Sequence, residues 1–173
     1  MRAAVITLSD SGYAGQREDK SGPLIQRLLG QAGYQVVHTA ILPDGRQPLA
    51  DELRRLCDEA LAALILTTGR TRVSSTDQTP EATMNVVERP VPGIPEAMRW
   101  YSLRITPRAM LSRAAAGIRG STLIVNLPGS PKAAEECLSA ILPTLAHGLE
   151  VLTGTAQSCA RSGMDQTEGK RSP

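Results

Sequence analysis

Short apolar runs alternate with amphipathic helical segments along this sequence, and this order restricts the fold more than any other feature. The runs Arg2–Leu8, Tyr34–Leu42 and Ala62–Leu66 have the length and composition of buried strands. Helical spacing of apolar residues marks the segments between them, Ser21–Leu29 and Gln47–Glu59. Because strand–helix–strand connections are almost always right-handed, we expect the three strands to run parallel. The pattern therefore predicts an α/β layered domain.

The second half of the sequence predicts further helices and a β-hairpin. The helices are Pro80–Val87, Ile94–Leu103 and Ala133–Leu152, and the hairpin arms are Leu111–Ile118 and Ser121–Leu127. Pro143 is expected to kink or interrupt the last helix, because proline has no backbone N–H to donate. We expect one domain over residues 1–152 and a polar, disordered tail over residues 153–173.

Composition argues against several classes of function. A formal net charge of +2 is too balanced to indicate nucleic-acid binding. No apolar run is long enough to span a membrane, and the first strand begins directly at Met1, which leaves no signal peptide. Cys57, Cys137 and Cys159 lack the spacing of a disulfide framework or zinc site, so we expect reduced thiols. The sequence thus predicts a cytoplasmic protein that binds neither nucleic acid nor membrane.

Small polar and acidic residues follow the predicted strands. They are Ser9, Asp10, Asp44, Thr68 and Gly69 after the first three strands, and Pro128, Gly129 and Ser130 after the second hairpin arm. The C-terminal ends of parallel strands meet at one edge of a sheet, where ligands bind in open α/β folds. The last three residues join this edge if their strand runs in the same direction. The pattern predicts a binding site at that edge.

The segment Leu64–Thr83 combines a strand, a hydroxyl-rich loop, the carboxylate of Asp77 and a helix start. Thr79 is predicted as the N-cap and Pro80 as the first helical residue, and Glu81 favours the positive end of the helix dipole. This order gathers N–H donors for a phosphate and an acid for a metal ion. An ordinary strand-to-helix connection also accounts for these residues, and the sequence pattern leaves both interpretations open.

Particular groups at this edge suit particular parts of a nucleotide. Asp44 and Asp77 are candidates to hold Mg²⁺ against its phosphates. Backbone N–H groups near Gly69 and Gly129, together with the Ser130 hydroxyl, are candidates to bind phosphate oxygens, and Lys132 adds a point charge. These residues alone predict only a site for a phosphorylated small molecule.

The segment TTGRTRVSSTDQTPEAT, residues 67–83, resembles the signature of the molybdopterin adenylyltransferase family of molybdenum-cofactor biosynthesis. Other segments similar to that family occur in the expected order: ITLSDSGYAGQREDKSGP, ILPD, VPGIPEAMRWYSL, MLSRAAAGI and LIVNLPGSPKAAEECL. Together they cover Met1 to about Leu152, so the resemblance does not depend on one short motif.

This resemblance implies a fold, a reaction and an assembly. The implied fold is a three-layer αβα arrangement with a mostly parallel mixed sheet. The implied assembly is a homotrimer or hexamer, with Trp100 and Tyr101 near the subunit contact. The implied reaction is Mg²⁺-dependent transfer of the adenylyl group of ATP to the terminal phosphate of molybdopterin, with release of pyrophosphate. Other enzymes of molybdenum-cofactor synthesis are implied partners.

The resemblance also implies roles for particular residues. Asp44 and Asp77 match the two important aspartates of the family and are the implied catalytic and metal-binding residues. The implied substrate-binding residues are Ser9, Asp10, Thr68, Gly69, Arg70, Thr71, Arg72, Pro80, Glu81, Ser112, Pro128, Gly129, Ser130 and Lys132.

The sequence departs from the TTGGTG pattern of that family at Arg70 and Arg72, which replace two glycines. Glycine permits a positive φ and a close ligand approach, whereas another residue in left-handed geometry costs about 1 kcal/mol or more. Three alternatives stay open. The arginines clamp phosphate in a displaced loop, or they block the pocket of an inactive carrier or scaffold protein, or they point to solvent. Retention of both aspartates favours the active enzyme.

Overall fold

The computed structural model describes residues 1–155 of the chain. Its strands are β1 (Arg2–Leu8), β2 (Gln35–Leu42), β3 (Leu64–Thr68), β4 (Arg89–Pro90), β5 (Ala116–Arg119) and β6 (Thr122–Leu127). Its α-helices are α1 (Asp10–Tyr13), α2 (Ser21–Gln31), α3 (Arg46–Asp58), α4 (Thr79–Met84), α5 (Gly93–Leu103) and α6 (Pro131–Leu152), and a 3₁₀ helix spans Pro107–Leu111. Beyond Thr155, the predicted tail lies outside the described residues.

One mixed sheet organises these elements, in the strand order β2-β1-β3-β6-β5-β4. The strands β2, β1, β3 and β6 are parallel, whereas β5 pairs antiparallel with β6 and with β4. Because β6 runs in the same direction as β1 and β3, its C-terminal end lies at the same edge as theirs. The prediction that three strands are parallel and the prediction of a hairpin are both confirmed.

Apolar side chains cover both faces of the sheet, as a three-layer fold requires. Alternate residues of β1 point to opposite faces, so Val5 packs with one cluster and Ile6 with the other. The first cluster includes apolar residues of α2, α5 and α6, and the second includes those of α3 and α4. The predicted three-layer αβα fold is therefore confirmed.

Several predicted boundaries were wrong. Strand β3 extends to Thr68, because buried Asn126 donates to the Thr67 hydroxyl at 2.9 Å and keeps that polar side chain satisfied inside the sheet. Thr79 is the first residue of α4, not its N-cap, and its backbone N–H donates to the carbonyl of Arg70. The first hairpin arm is only β5, because Leu111 ends the 3₁₀ helix and residues 112–115 form neither helix nor strand. Helix α6 continues through Pro143 without a break.

The structure also describes two cysteines as free, buried thiols, Cys57 and Cys137. Burial raises the pKa of the Cys57 thiol to about 11, and burial likewise raises the pKa of Cys137. Within the described part of the chain, no helix is both long and apolar enough to cross a membrane.

We expect Cys57 to react slowly with iodoacetamide in the native protein. With a pKa near 11, about one thiol in a thousand is ionised at pH 8, and the thiolate is the reactive form. The measurement is the labelling rate of the Cys57 peptide by mass spectrometry, with the same protein in urea as the control. Equal rates in the native and the urea-unfolded protein would contradict the burial of this thiol.

Candidate active site

The ends of β1, β3 and β6 meet at one edge of the sheet through hydrogen bonds between sequence-distant residues. The backbone N–H of Gly69 donates to the Leu127 carbonyl at 3.3 Å. The Thr68 hydroxyl donates to the Pro128 carbonyl at 2.7 Å. The Ser21 hydroxyl, at the start of α2, donates to the Gly129 carbonyl at 2.9 Å. These contacts close one side of a hollow of about 860 Å³ at this edge.

Half of the sixteen predicted site residues line this hollow. They are Ser9, Thr68, Gly69, Arg70, Thr71, Arg72, Gly129 and Ser130. Hydroxyls, backbone amides and two guanidinium groups dominate this part of the wall, and such groups bind phosphate oxygens. The arrangement therefore suits an anionic ligand, as the sequence predicted.

The other predicted residues lie behind or beside the wall. They are Asp10, Asp44, Asp77, Pro80, Glu81, Ser112, Pro128 and Lys132. The exposed Lys132 side chain lies 3.9 Å from Glu136 on the same helix. The Glu81 carboxylate pairs with the Arg113 guanidinium, which also donates to the Asp77 carbonyl at 3.3 Å. These contacts tie α4 to the loop that carries Arg70 and Arg72.

Asp44 and Asp77 are brought together through Arg70. The Arg70 guanidinium forms an ion pair with Asp44, and its Nη1 lies 3.5 Å from Asp77 Oδ1. Its Nη2 lies 4.0 Å from Asp10 Oδ2. The backbone N–H of Asp44 in turn donates to Asp10 Oδ1 at 2.8 Å. We call the three carboxylates of Asp10, Asp44 and Asp77 the acidic cluster.

Asp77 is fixed by hydrogen bonds from both arginines. Its side chain is 0% exposed, and its Oδ2 accepts from the backbone N–H of Arg72 at 2.9 Å and from Arg72 Nε at 3.1 Å. Burial acts to raise the pKa of Asp77, but these hydrogen bonds and the charge of Arg72 outweigh it and leave the pKa below its ordinary value. The carboxylate is therefore ionised at neutral pH and holds the loop in place.

The acidic cluster does not fit a resident magnesium ion as it stands. Mg²⁺ requires near-octahedral oxygen ligands at about 2.0–2.1 Å, whereas a guanidinium contacts Asp44 and Asp77 here. Among residues 1–155, no group of three or more acidic, histidine or cysteine side chains has the arrangement of a metal site. The cation between these two acids is Arg70.

Sequence reasoning missed a second part of the wall, formed by Ser11, Gly12, Gln16, Arg17, Glu18, Asp19, Lys20 and Ser21. Asp19 orders the end of this segment, since its Oδ1 accepts the backbone N–H groups of Ser21 and Gly22, both at 3.0 Å. Its Oδ2 accepts the Thr7 hydroxyl at 2.6 Å, which joins the segment to β1. An aspartate shortly before a Ser-Gly-Pro helix start was the signal that could have identified this cap.

We expect Asp19→Ala to lower the free energy of unfolding by about 1–2 kcal/mol, the usual effect of losing a helix cap. Urea denaturation measures this change. The control is Glu18→Ala, which removes the neighbouring exposed carboxylate and should change stability by less than about 0.5 kcal/mol. Equal effects of the two substitutions would contradict the capping role.

Similarity to known proteins agrees with this geometry. A family model described as a probable molybdopterin binding domain matches residues 4–147. The molybdopterin adenylyltransferase of Helicobacter pylori strain J99 is 40% identical over 152 residues, which are 87% of this chain and 86% of that protein. The molybdopterin adenylyltransferase of Haemophilus influenzae is 39% identical over 143 residues, 82% of this chain and 73% of that protein.

A solved structure shows the same fold. The molybdopterin biosynthesis enzyme MoaB from Thermus thermophilus superposes with a TM-score of 0.84 at 44% identity, over 88% of this chain and 96% of that one. The resemblance that the sequence motifs indicated is thereby confirmed, and the chain belongs to the molybdopterin adenylyltransferase family of molybdopterin binding domains.

Proposed function

We propose that this protein transfers the adenylyl group of ATP to molybdopterin. A terminal phosphate oxygen of molybdopterin attacks the α-phosphorus of ATP, the bond to the β-phosphate oxygen breaks, and pyrophosphate leaves. The observation that carries this proposal is the hollow at the ends of β1, β3 and β6, with Arg70 and Arg72 in its wall. Similarity to curated adenylyltransferases over most of their length supports it over the alternative of an inactive carrier.

The incoming phosphate is already a nucleophile, so the protein has two tasks: to align the reactants and to neutralise developing charge. The backbone N–H groups near Gly69 and Gly129 and the Ser130 hydroxyl are proposed to orient phosphate oxygens, and the two loop arginines to balance charge. In this proposal, Mg²⁺ takes part only as the ion that accompanies ATP in solution. No step of the proposed reaction requires an ion held by Asp44 and Asp77, because Arg70 lies between them.

The test is transfer of labelled AMP from α-labelled ATP to molybdopterin. We expect an adenylylated product and stoichiometric pyrophosphate. Molybdopterin binding by calorimetry without any product, even at high enzyme concentration, would favour the carrier instead. The control is the same reaction without molybdopterin, in which no adenylylated product should form.

We further propose that this domain spans residues 1–152 and assembles as a homotrimer in the cytoplasm, with a hexamer as the alternative. Large exposed apolar side chains on α5 and the 3₁₀ helix support self-association: Trp100, Leu103, Met110 and Leu111. We also propose other molybdenum-cofactor enzymes as partners of this protein. Multi-angle light scattering should give three times the chain mass, and a monomer mass at working concentration would contradict the trimer.

A further inference from the structure

The three carboxylates of the acidic cluster surround a cation that belongs to the chain itself. The Arg70 guanidinium pairs with Asp44 and lies 3.5 Å from Asp77 and 4.0 Å from Asp10, and the Arg70 side chain is only 28% exposed. The Asp44 side chain is 9% exposed, and its only charged partner among residues 1–155 is the Arg70 guanidinium. A carboxylate this deeply buried is costly unless a positive charge compensates it. Arg70 supplies that charge.

The backbone at Arg70 indicates that this placement is held against a conformational cost. Its φ is +55°, in the left-handed region, which costs a residue other than glycine about 1–2 kcal/mol. The strain persists only if the surrounding contacts offset it. The ion pairs of Arg70 with the acidic cluster are the contacts that do so.

Arg70 also separates the acids from the ligand space. Arg70 lines the hollow, whereas neither Asp44 nor Asp77 is part of its wall. A guanidinium has five N–H donors, of which those facing the acids are only a part. The remaining donors are available to phosphate oxygens in the hollow. This side chain therefore has the position of an ion that bridges protein carboxylates to a phosphate.

We propose that Arg70 is a built-in cation that takes the place of a divalent metal ion between Asp44 and Asp77 and bridges these acids to a phosphate group in the hollow. The replacement of a metal ion by Arg70 is argued from the contacts of Arg70 alone. The bridge to a phosphate group rests on the proposed function. Arg72 has a different role, because its side chain is 77% exposed and pairs only with Asp77 among the three acids, through Nε at 3.1 Å.

The first experiment is a titration with Mn²⁺ followed by electron paramagnetic resonance, without ATP or molybdopterin. We expect no Mn²⁺ binding to the parent protein at submillimolar concentration. Arg70→Gly should bind Mn²⁺ at least about tenfold more tightly, because it vacates the space between two acids. Mg²⁺ should raise the melting temperature of Arg70→Gly but not that of the parent. Circular dichroism confirms folding, which we expect because glycine accepts this φ.

The matched control is Arg72→Gly, which removes one arginine of the same loop and leaves Arg70 in place. This variant should bind Mn²⁺ no better than the parent. Equal Mn²⁺ affinity of the parent and Arg70→Gly would overturn the proposal, and so would a folded Arg70→Gly that binds no Mn²⁺. Because no substrate is present, the Mn²⁺ titration does not depend on whether the protein transfers an adenylyl group. Failure of the Mn²⁺ prediction would likewise leave the proposed adenylyl transfer untouched.

The second experiment tests the phosphate bridge with inorganic pyrophosphate and calorimetry. In EDTA, Arg70→Gly should bind pyrophosphate at least about tenfold more weakly than the parent, and Mg²⁺ should restore binding. Arg72→Gly should lose pyrophosphate affinity to the same extent with and without Mg²⁺, because the loss of Arg72 creates no metal site. Unchanged binding of Arg70→Gly in EDTA would overturn the bridging role.

Discussion

Replacing Gly69 by alanine should lower the free energy of unfolding by about 3 kcal/mol, the sum of backbone strain and a displaced neighbouring strand. Gly69 has a φ of +104°, which side chains rarely adopt, and a Cβ there would lie 2.6 Å from the Leu8 carbonyl oxygen. That oxygen belongs to the backbone of β1, so it cannot move without shifting the strand. Gly129 packs closely against Gly69, since a Cβ at Gly129 would lie 3.1 Å from the Gly69 Cα, so relaxation would also distort the hollow.

Urea denaturation of Gly69→Ala measures this effect, and pyrophosphate affinity measures the distortion. The control is Gly30→Ala in α2, where a Cβ meets nothing within 4 Å. That substitution should raise stability by about 0.5–1 kcal/mol, because alanine has less conformational freedom to lose in a helix. A Gly69→Ala protein as stable as the parent would show that β1 and β3 are not packed as described.

The fold was largely predictable because its signals are local. Runs such as Arg2–Leu8 are apolar on both faces, which is the pattern of a strand buried in a parallel sheet. The right-handed crossover rule then fixes the direction of neighbouring strands. The predicted strand boundaries were wrong where a residue distant in sequence determines the end of the strand. Thr67 stays in β3 because Asn126 reaches it across the sheet, and no pattern around Thr67 shows that contact.

The site was predictable only in part for the same reason. Residues that follow strands, such as Gly69 and Gly129, were predicted from the topology alone and line the hollow. The contribution of Asp19 and Lys20 depends on how a polar loop folds back over β1, which composition does not reveal. The position of Arg70 depends on three carboxylates from separate turns, so the sequence could not choose among the three alternatives for the two arginines. The structure excludes the alternative in which Arg70 points to solvent.

Asp77→Asn should lower the free energy of unfolding by about 2–3 kcal/mol, less than the loss of a fully buried ion pair because Arg70 and Arg72 keep some solvent contact. The substitution keeps the volume of the side chain but removes its charge. It also turns one acceptor into an N–H donor that faces the donors of Arg72. Both arginines would lose their shared partner, so the loop that forms the wall of the hollow should loosen. We therefore expect weaker pyrophosphate binding in the same variant.

The stability difference between the parent and Asp77→Asn should also depend on pH. The pKa of Asp77 lies below its ordinary value of 3.8 in the folded protein. The ionised carboxylate therefore makes its full contribution to the free energy of unfolding above pH 3.8, and this contribution is lost as the pH falls through the lower pKa of the folded state. Urea denaturation at pH 7 and at pH 3 measures this, and the difference should shrink at pH 3. Asp51→Asn, at an exposed ion pair with Arg54, should cost less than about 0.5 kcal/mol at pH 7. If Asp77→Asn costs no more than this control, Asp77 cannot be what holds the arginine loop against the sheet.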